Sequence, residues 1–361
     1  MPSFLRPVLI SGLAVFTALL VGALVIALAG ASPLDAYAGL VQGAFGSARA
    51  LSETAVWATP YILGGLAVSL AFQAGLFNIG AEGQIALGAL TAALVGHGLP
   101  LWLGTSLPAL VHLPLTLAAG MLAGGLWGAL PGWLKARTGA HEVINTIMLN
   151  YIALNAMSFL LNGALKDPEP GNVIARTALI APSAELPVLI EPFRVHWGFP
   201  LALLLAFGVA FMLRRTTLGF ELRAVGTNPE AARAAGMPTV RLTVLAMGLS
   251  GALAGLAGSI EVCALNHRHE LGFSSGYGFD AIAVALLGRT HPAGVVLAGL
   301  LLGAMRNGAT RMQFLTQIPV DVISVIQALI LLFVAADVII RKLYRLRTPG
   351  AHVALTRGWG G

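Results

Sequence analysis

The chain has 361 residues, 57% of them hydrophobic and only 10% charged, with a mean hydropathy of +0.84. Soluble domains carry roughly 25% charged residues, so an ordinary soluble protein is excluded and an all-α polytopic membrane protein is expected. The net charge of +6 does not signal nucleic acid, because most of the 21 Lys and Arg fall on one side of the topology below, as the positive-inside rule asks of a cytoplasmic face.

Residues 8–30 form an apolar run that enters from the cytoplasm as the first span. Ala27-Leu28-Ala29 has the look of a signal-peptidase site, but a signal core is only ~7–15 residues and this run can cross ~30 Å as helix. Leu34, Tyr37, Val41 and Phe45 share one helical face, which suits a short interfacial helix on the outer surface. A second span at 54–72 runs inward to the stretch GLFNIGAEGQ (75–84), followed by a third helix ending near His97. Residues 99–112 read as an outer connection, 113–134 as the fourth span, stopped by Lys135 and Arg137, and 142–164 as the fifth. Residues 166–196 are rich in proline and charge and form an extracytoplasmic insertion, compact or loosely ordered.

A sixth span at 197–213 returns to the cytoplasm and meets the most polar long interval of the chain, 214–241. A small helix is written inside it. Asn228 can cap the N-terminus, Pro229 suits the first helical position and Glu230 complements the helix dipole. Ala231, Ala232, Ala234 and Ala235 favour helix, Gly236 stops it and Pro238 prevents continuation. A short, double-capped, small-surfaced helix on a basic loop is shaped to fit a socket in a partner.

The seventh span, 240–265, leads to a polar outer loop, a short eighth helix at 279–287, a ninth span at 292–310 and a tenth at 320–340. A basic cytoplasmic tail, 341–361, closes the chain. About ten spans with both termini inside would make residues 1–340 one transmembrane domain. Spans two to five and seven to ten then have opposite orientations. Each set holds a Gly-rich interruption, at 75–83 and 272–288, and paired interruptions point to a substrate path between inverted repeats. GxxxG spacings at Gly120/Gly124, Gly124/Gly128, Gly251/Gly255 and Gly299/Gly303 suit close helix contact.

A charge at mid-helix costs on the order of 2.5–3.5 kcal/mol in lipid, so polar groups there need a reason. Gln73, Asn78, Glu82 and Gln84 cluster at the first interruption, and Asn145, Asn150 and Asn155 run along the fifth span. Two readings stand side by side: amides lining a path for a neutral, hydrogen-bonding solute, or amides that only bond helix to helix. For Glu82, capping its own helix start beside Gly80 is expected. The arginines are expected to gather at the membrane faces. No metal site is expected: in His141-Glu142 the second histidine of a zincin motif is replaced by Asn145, and Cys263, His267 and His269 border an outer loop. No phosphate-cradling GxxxxGK[ST] occurs, so no catalytic residue and no bound cofactor are assigned to this chain.

The segments GLAVSLAFQAGLFNIGAEGQIALGAL (65–90), HEVINTIMLNYIA (141–153), TTLGFELRAVGTNPEAARAAGM (216–237) and YGFDAIAVALLGR (277–289) together resemble one family. It is the ABC-importer permease family of the branched-chain amino acid and simple-sugar type, here in the longer permease of its nucleoside-uptake branch. The resemblance implies a bacterial plasma-membrane protein without enzymatic activity of its own. It implies a cytoplasmic ATPase that holds ATP and Mg, a shorter paralogous permease completing a heterodimer, and a periplasmic or lipid-tethered binding protein. Gly226, Asn228, Pro229, Glu230, Ala231, Arg233 and Gly236 then fall on the coupling helix that docks on the ATPase. Simple sugars or a vitamin remain open as substrates, and a secondary transporter and a membrane enzyme are the rivals from other classes.

Overall fold

A computed structural model describes residues 5–335 except 275, 318 and 320, together with 343 and 344. The basic tail and the end of the expected tenth span lie outside the described residues. The helices, in order, are α1 (Leu5–Leu28), α2 (Pro33–Phe45), α3 (Ala48–Gln73), α4 (Ala81–Leu103), α5 (Ala109–Thr138), α6 (Glu142–Asn162), α7 (Gly198–Arg215), α8 (Thr217–Thr227), α9 (Pro229–Ala234), α10 (Thr239–Glu261), α11 (Tyr277–Leu287), α12 (Pro292–Thr316) and α13 (Asp321–Ala335). Among the described residues there is no strand, only isolated bridges at Arg176/Glu270 and Val188/His196.

The all-α membrane fold stands, and the described residues account for fewer than the ten expected spans. Seven described helices are long and apolar enough to cross a bilayer, or eight if α1 and α2 count together. Those two meet at 119°, so α2 turns aside as an interfacial helix would. Its face bearing Leu34, Val41 and Phe45 is exposed. The eighth expected segment, α11, is about 16 Å long and cannot alone cross a ~30 Å core. Only 15 residues of the tenth are described as helix. The outer connection expected at 99–112 shrinks to 104–108, because α4 continues to Leu103 and α5 starts at Ala109.

The chain divides into two compact units, Met1–Ala58 with Leu300–Gly361, and Thr59–Gly299. In the larger unit α5 and α10 lie backbone to backbone along their glycines. A Cβ on Gly124 would come within 2.7 Å of the Gly255 Cα, and one on Gly251 within 3.0 Å of the Gly128 Cα. Real Cβ atoms do not approach so closely, so the GxxxG spacing here is a packing seam. In the smaller unit α2 lies along α12. The Asn307 amide fastens that corner, with Nδ2 donating to Gly43 O (3.0 Å), Ala50 O (2.9 Å) and Thr54 Oγ1 (3.0 Å).

The insertion at 166–196 is compact and bonded to the ends of α4 and α10 and the loop after α10. Leu186 N donates to Cys263 O (2.7 Å), Ile180 N to His267 O (2.9 Å), Thr177 N to His269 O (2.9 Å) and Ala181 N to Gly96 O (2.8 Å). The acceptors Cys263 and His267 belong to or follow a π-helical turn, Val262–Asn266, that continues α10. Asp167 joins Arg176 (3.4 Å) and Arg268 (3.9 Å) beside a cleft of about 420 Å³ on this side. Burial pushes His269 down to about 4, and burial with the nearby Arg194 does the same to His196.

Candidate functional site

The larger unit brings the two Gly-rich interruptions together. After α3 the chain turns at Gly75 (φ +72°) and runs without regular structure through 76–79 before α4 starts. Backbone groups outside a helix need other partners, and side chains supply several of them here. Asn78 and Gln84 pair amide to amide, with Asn78 Nδ2 donating to Gln84 Oε1 (2.8 Å) and Gln84 Nε2 donating to Asn78 Oδ1 (3.1 Å). Asn78 Oδ1 also accepts from Gly80 N (3.0 Å), and its Nδ2 donates to Ser250 Oγ of α10 (2.8 Å). Ser250 Oγ in turn donates to Ala67 O of α3 (2.6 Å). From α6, Asn150 Oδ1 accepts from Gly83 N and its Nδ2 donates to Ile79 O, both at 2.8 Å. The whole cluster is buried.

Glu82 does not cap its own helix. Its carboxylate accepts from Gly278 N (2.7 Å) and from Ser274 Oγ, so it caps the start of α11 instead. The reason is geometric: a Cβ on Gly278 would lie 2.7 Å from Ala81 C, so the two helix starts touch through their backbones. At the other end of α11, Gln73 Nε2 donates to Thr290 O (2.9 Å) and Oγ1 (3.1 Å). The asparagines of α6 separate: Asn150 is buried and bonded, and Asn155 is exposed and bonds back to Tyr151 O. Asn145 has a buried Nδ2 without a hydrogen-bond partner among the described residues.

The arginine-rich loop is more helical than its sequence suggested. The small helix is α9: Asn228 Oδ1 accepts from Ala231 N (3.0 Å), Pro229 stands at its first turn, and Gly236 ends it at φ +82°. Glu230 and Arg233 pair at 3.3 Å. Of the expected contact residues, Asn228, Pro229, Glu230, Ala231, Arg233 and Gly236 are exposed, while Ala232 faces inward. The sequence reading missed α8, although Thr216 caps it by accepting from Gly219 N (3.1 Å), and Leu222 and Val225 give it a buried face. At its end Gly226 presses on the turn after α3, where an added Cβ would lie 2.8 Å from Gly75 N. Arg214 bonds to His291 beyond α11, and burial with that guanidinium holds His291 below the usual imidazole range.

The arginines were expected to gather at the membrane faces, and among them Arg306 stacks on an aromatic ring. That residue lies within α12, and its guanidinium carbon stands 5.7 Å from the Trp57 ring centroid. The polar run RNGATRMQ (306–313) was the available signal.

Comparison with known proteins gives a match over residues 50–335 to the family described as branched-chain amino acid transport system / permease component. The chain is 42% identical to the guanosine ABC transporter permease protein NupP of Bacillus subtilis (strain 168), covering 96% of this chain and 99% of that one. It is 36% identical to the glucose ABC transporter permease protein TsgB13 of Haloferax volcanii (92% and 88% covered). It is 35% identical to the nucleoside ABC transporter permease protein NupB of Lactococcus lactis subsp. cremoris (93% and 92% covered). No solved structure matches. Both broken segments and the arginine-rich loop fall inside the matched residues, and the chain belongs to this permease family as a multi-pass subunit of the plasma membrane.

Proposed function

We propose that this chain is the permease subunit through which an ABC importer takes up nucleosides. The observation that carries the substrate is the end-to-end 42% identity with a guanosine permease. A cytoplasmic ATPase carrying ATP and Mg powers the cycle, an external binding protein delivers the solute, and a shorter paralogous permease completes a heterodimer. The exposed, double-capped α9 is the coupling helix, with Gly226 passing its movement to the turn at Gly75. The path residues divide by their bonding: Gln73, Asn78, Glu82, Gln84 and Asn150 frame the broken segments, and Asn145 is the amide that meets the solute. Its truncation, Asn145→Leu, lowers transport about threefold while solute binding by the external protein is unchanged.

Deleting the gene abolishes uptake of labelled guanosine and adenosine and spares ribose. Simple sugars form the second reading, because the Haloferax relative at 36% identity is a glucose permease. A deletion strain that loses ribose or glucose uptake and keeps both nucleosides favours that reading.

A further inference from the structure

The amides at the broken segments are bonded to each other and to backbone, yet the smaller unit carries a polar surface on apolar spans. On α12, a helix long enough to cross a ~30 Å core, Arg306 lies about 21 Å from the start and about 15 Å from the end. Arg306, Thr310 and Gln313 follow each other at helical spacing, with Arg306 half-buried and the other two exposed. On α3, Glu53 and Trp57 are one turn apart, and Trp57 is the ring over which the Arg306 guanidinium lies. Farther along α12 an open cleft of about 340 Å³, which shares Thr310 with this row, is lined by Gly43, Asn307, Thr310, Arg311 and Phe314. That volume falls in the range of small-molecule sites.

Such a face is costly against lipid tails. An intramembrane arginine turns toward a protein interior or a water-filled passage. Asn307 fastens the α2–α3 corner by its three hydrogen bonds, and Arg306 stands beside it over Trp57. An indole and a guanidinium are the side chains on which flat aromatic bases stack. We propose that Trp57 and Arg306 receive the aromatic base of the transported solute, on a wet face of α12 that continues through Thr310 and Gln313. This rests on the nucleoside reading above.

The test uses cells expressing the complete importer, with Cys263→Ser and Thr310→Cys in this chain and an impermeant, charged methanethiosulfonate as the label. The thiol at 310 is expected to label from outside, and guanosine is expected to slow labelling about fivefold or more. Trp57→Leu and Arg306→Gln should each lower guanosine uptake about tenfold, while Trp57→Phe, which keeps an aromatic face, stays within about threefold. Normal abundance of the two impaired variants in the membrane separates a contact from a folding defect. A thiol at 310 that never labels places the face against lipid or another subunit and overturns the proposal. Labelling indifferent to guanosine, or slowed by ribose alone, overturns it as well. The gene-deletion experiment reports on the substrate separately, so a lost nucleoside phenotype there and an unprotected thiol here are distinguishable failures.

Discussion

The junction of the broken segments and the α9 helix are both polar islands in an apolar chain, and they use polarity in opposite ways. At the junction every named donor and acceptor of Asn78, Gln84 and Asn150 has a partner inside the protein. On α9 the cap is internal, but Glu230 and Arg233 point outward with side chains 79% and 64% exposed. Buried polar groups left unbonded are costly, so the junction holds one shape. Exposed ion pairs contribute little, so α9 is free to be read by another molecule. Damage to the first region should therefore appear in stability, and damage to the second in transport.

The largest stability effect is expected at Gly278. A Cβ there meets backbone atoms of Ala81 and Glu82, which no rotamer change can relieve. Gly278→Ala should cost roughly 3 kcal/mol or more, read as loss of the folded chain from membranes at 37 °C. Asn78→Leu comes next, because it strands Gln84, Ser250 and the Gly80 N–H together. About 2–3 kcal/mol is expected from unmet bonds of this kind, visible as a lower Tm in detergent with transport falling in proportion.

A smaller, pH-dependent loss is expected in the insertion at 166–196. His196 and His269 have pKa values near 4 when folded, below the ordinary value of 6.5, so the unfolded insertion binds more protons as the medium acidifies. Their contribution is complete above about pH 6.5 and falls as the pH drops toward 4. Hydrogen-exchange protection at Thr177, Ile180 and Leu186, whose amides tie the insertion down, should fall across that window once the intrinsic pH dependence of exchange is divided out, and should not change between pH 7 and 8. The smallest stability effect is expected on α9, where Glu230→Arg should change the unfolding free energy by less than about 1 kcal/mol.

The legibility of the chain follows the same division. Spans and caps are local: lipid demands long apolar runs, and the α9 signal needs only Asn228, Pro229 and Gly236 in a row. The junction residues were also visible as polar letters in an apolar stretch. Their partners were not, because Asn78 meets Ser250 across 172 residues and Glu82 meets Gly278 across 196. Glu82 looked like a cap for its own helix, and only the backbone contact at Gly278 redirects it. The glycine spacings of α5 and α10 were readable as motifs, yet a glycine-rich chain offers many such pairs and only packing selects among them. Arg306 was overlooked because a single charge hardly disturbs the hydropathy of a 25-residue helix.

The most direct test of the account is to measure guanosine uptake and ATP hydrolysis on the same membranes bearing Glu230→Arg or Gly236→Val. The first reverses a charge on the exposed face of α9, and the second forces a β-branched residue into φ +82°. Both variant chains are expected at near-normal abundance, with hydrolysis no longer driving uptake. Uptake at the wild-type rate from either variant, with the ATPase assembled, would contradict the account and reduce α9 to a solvated loop.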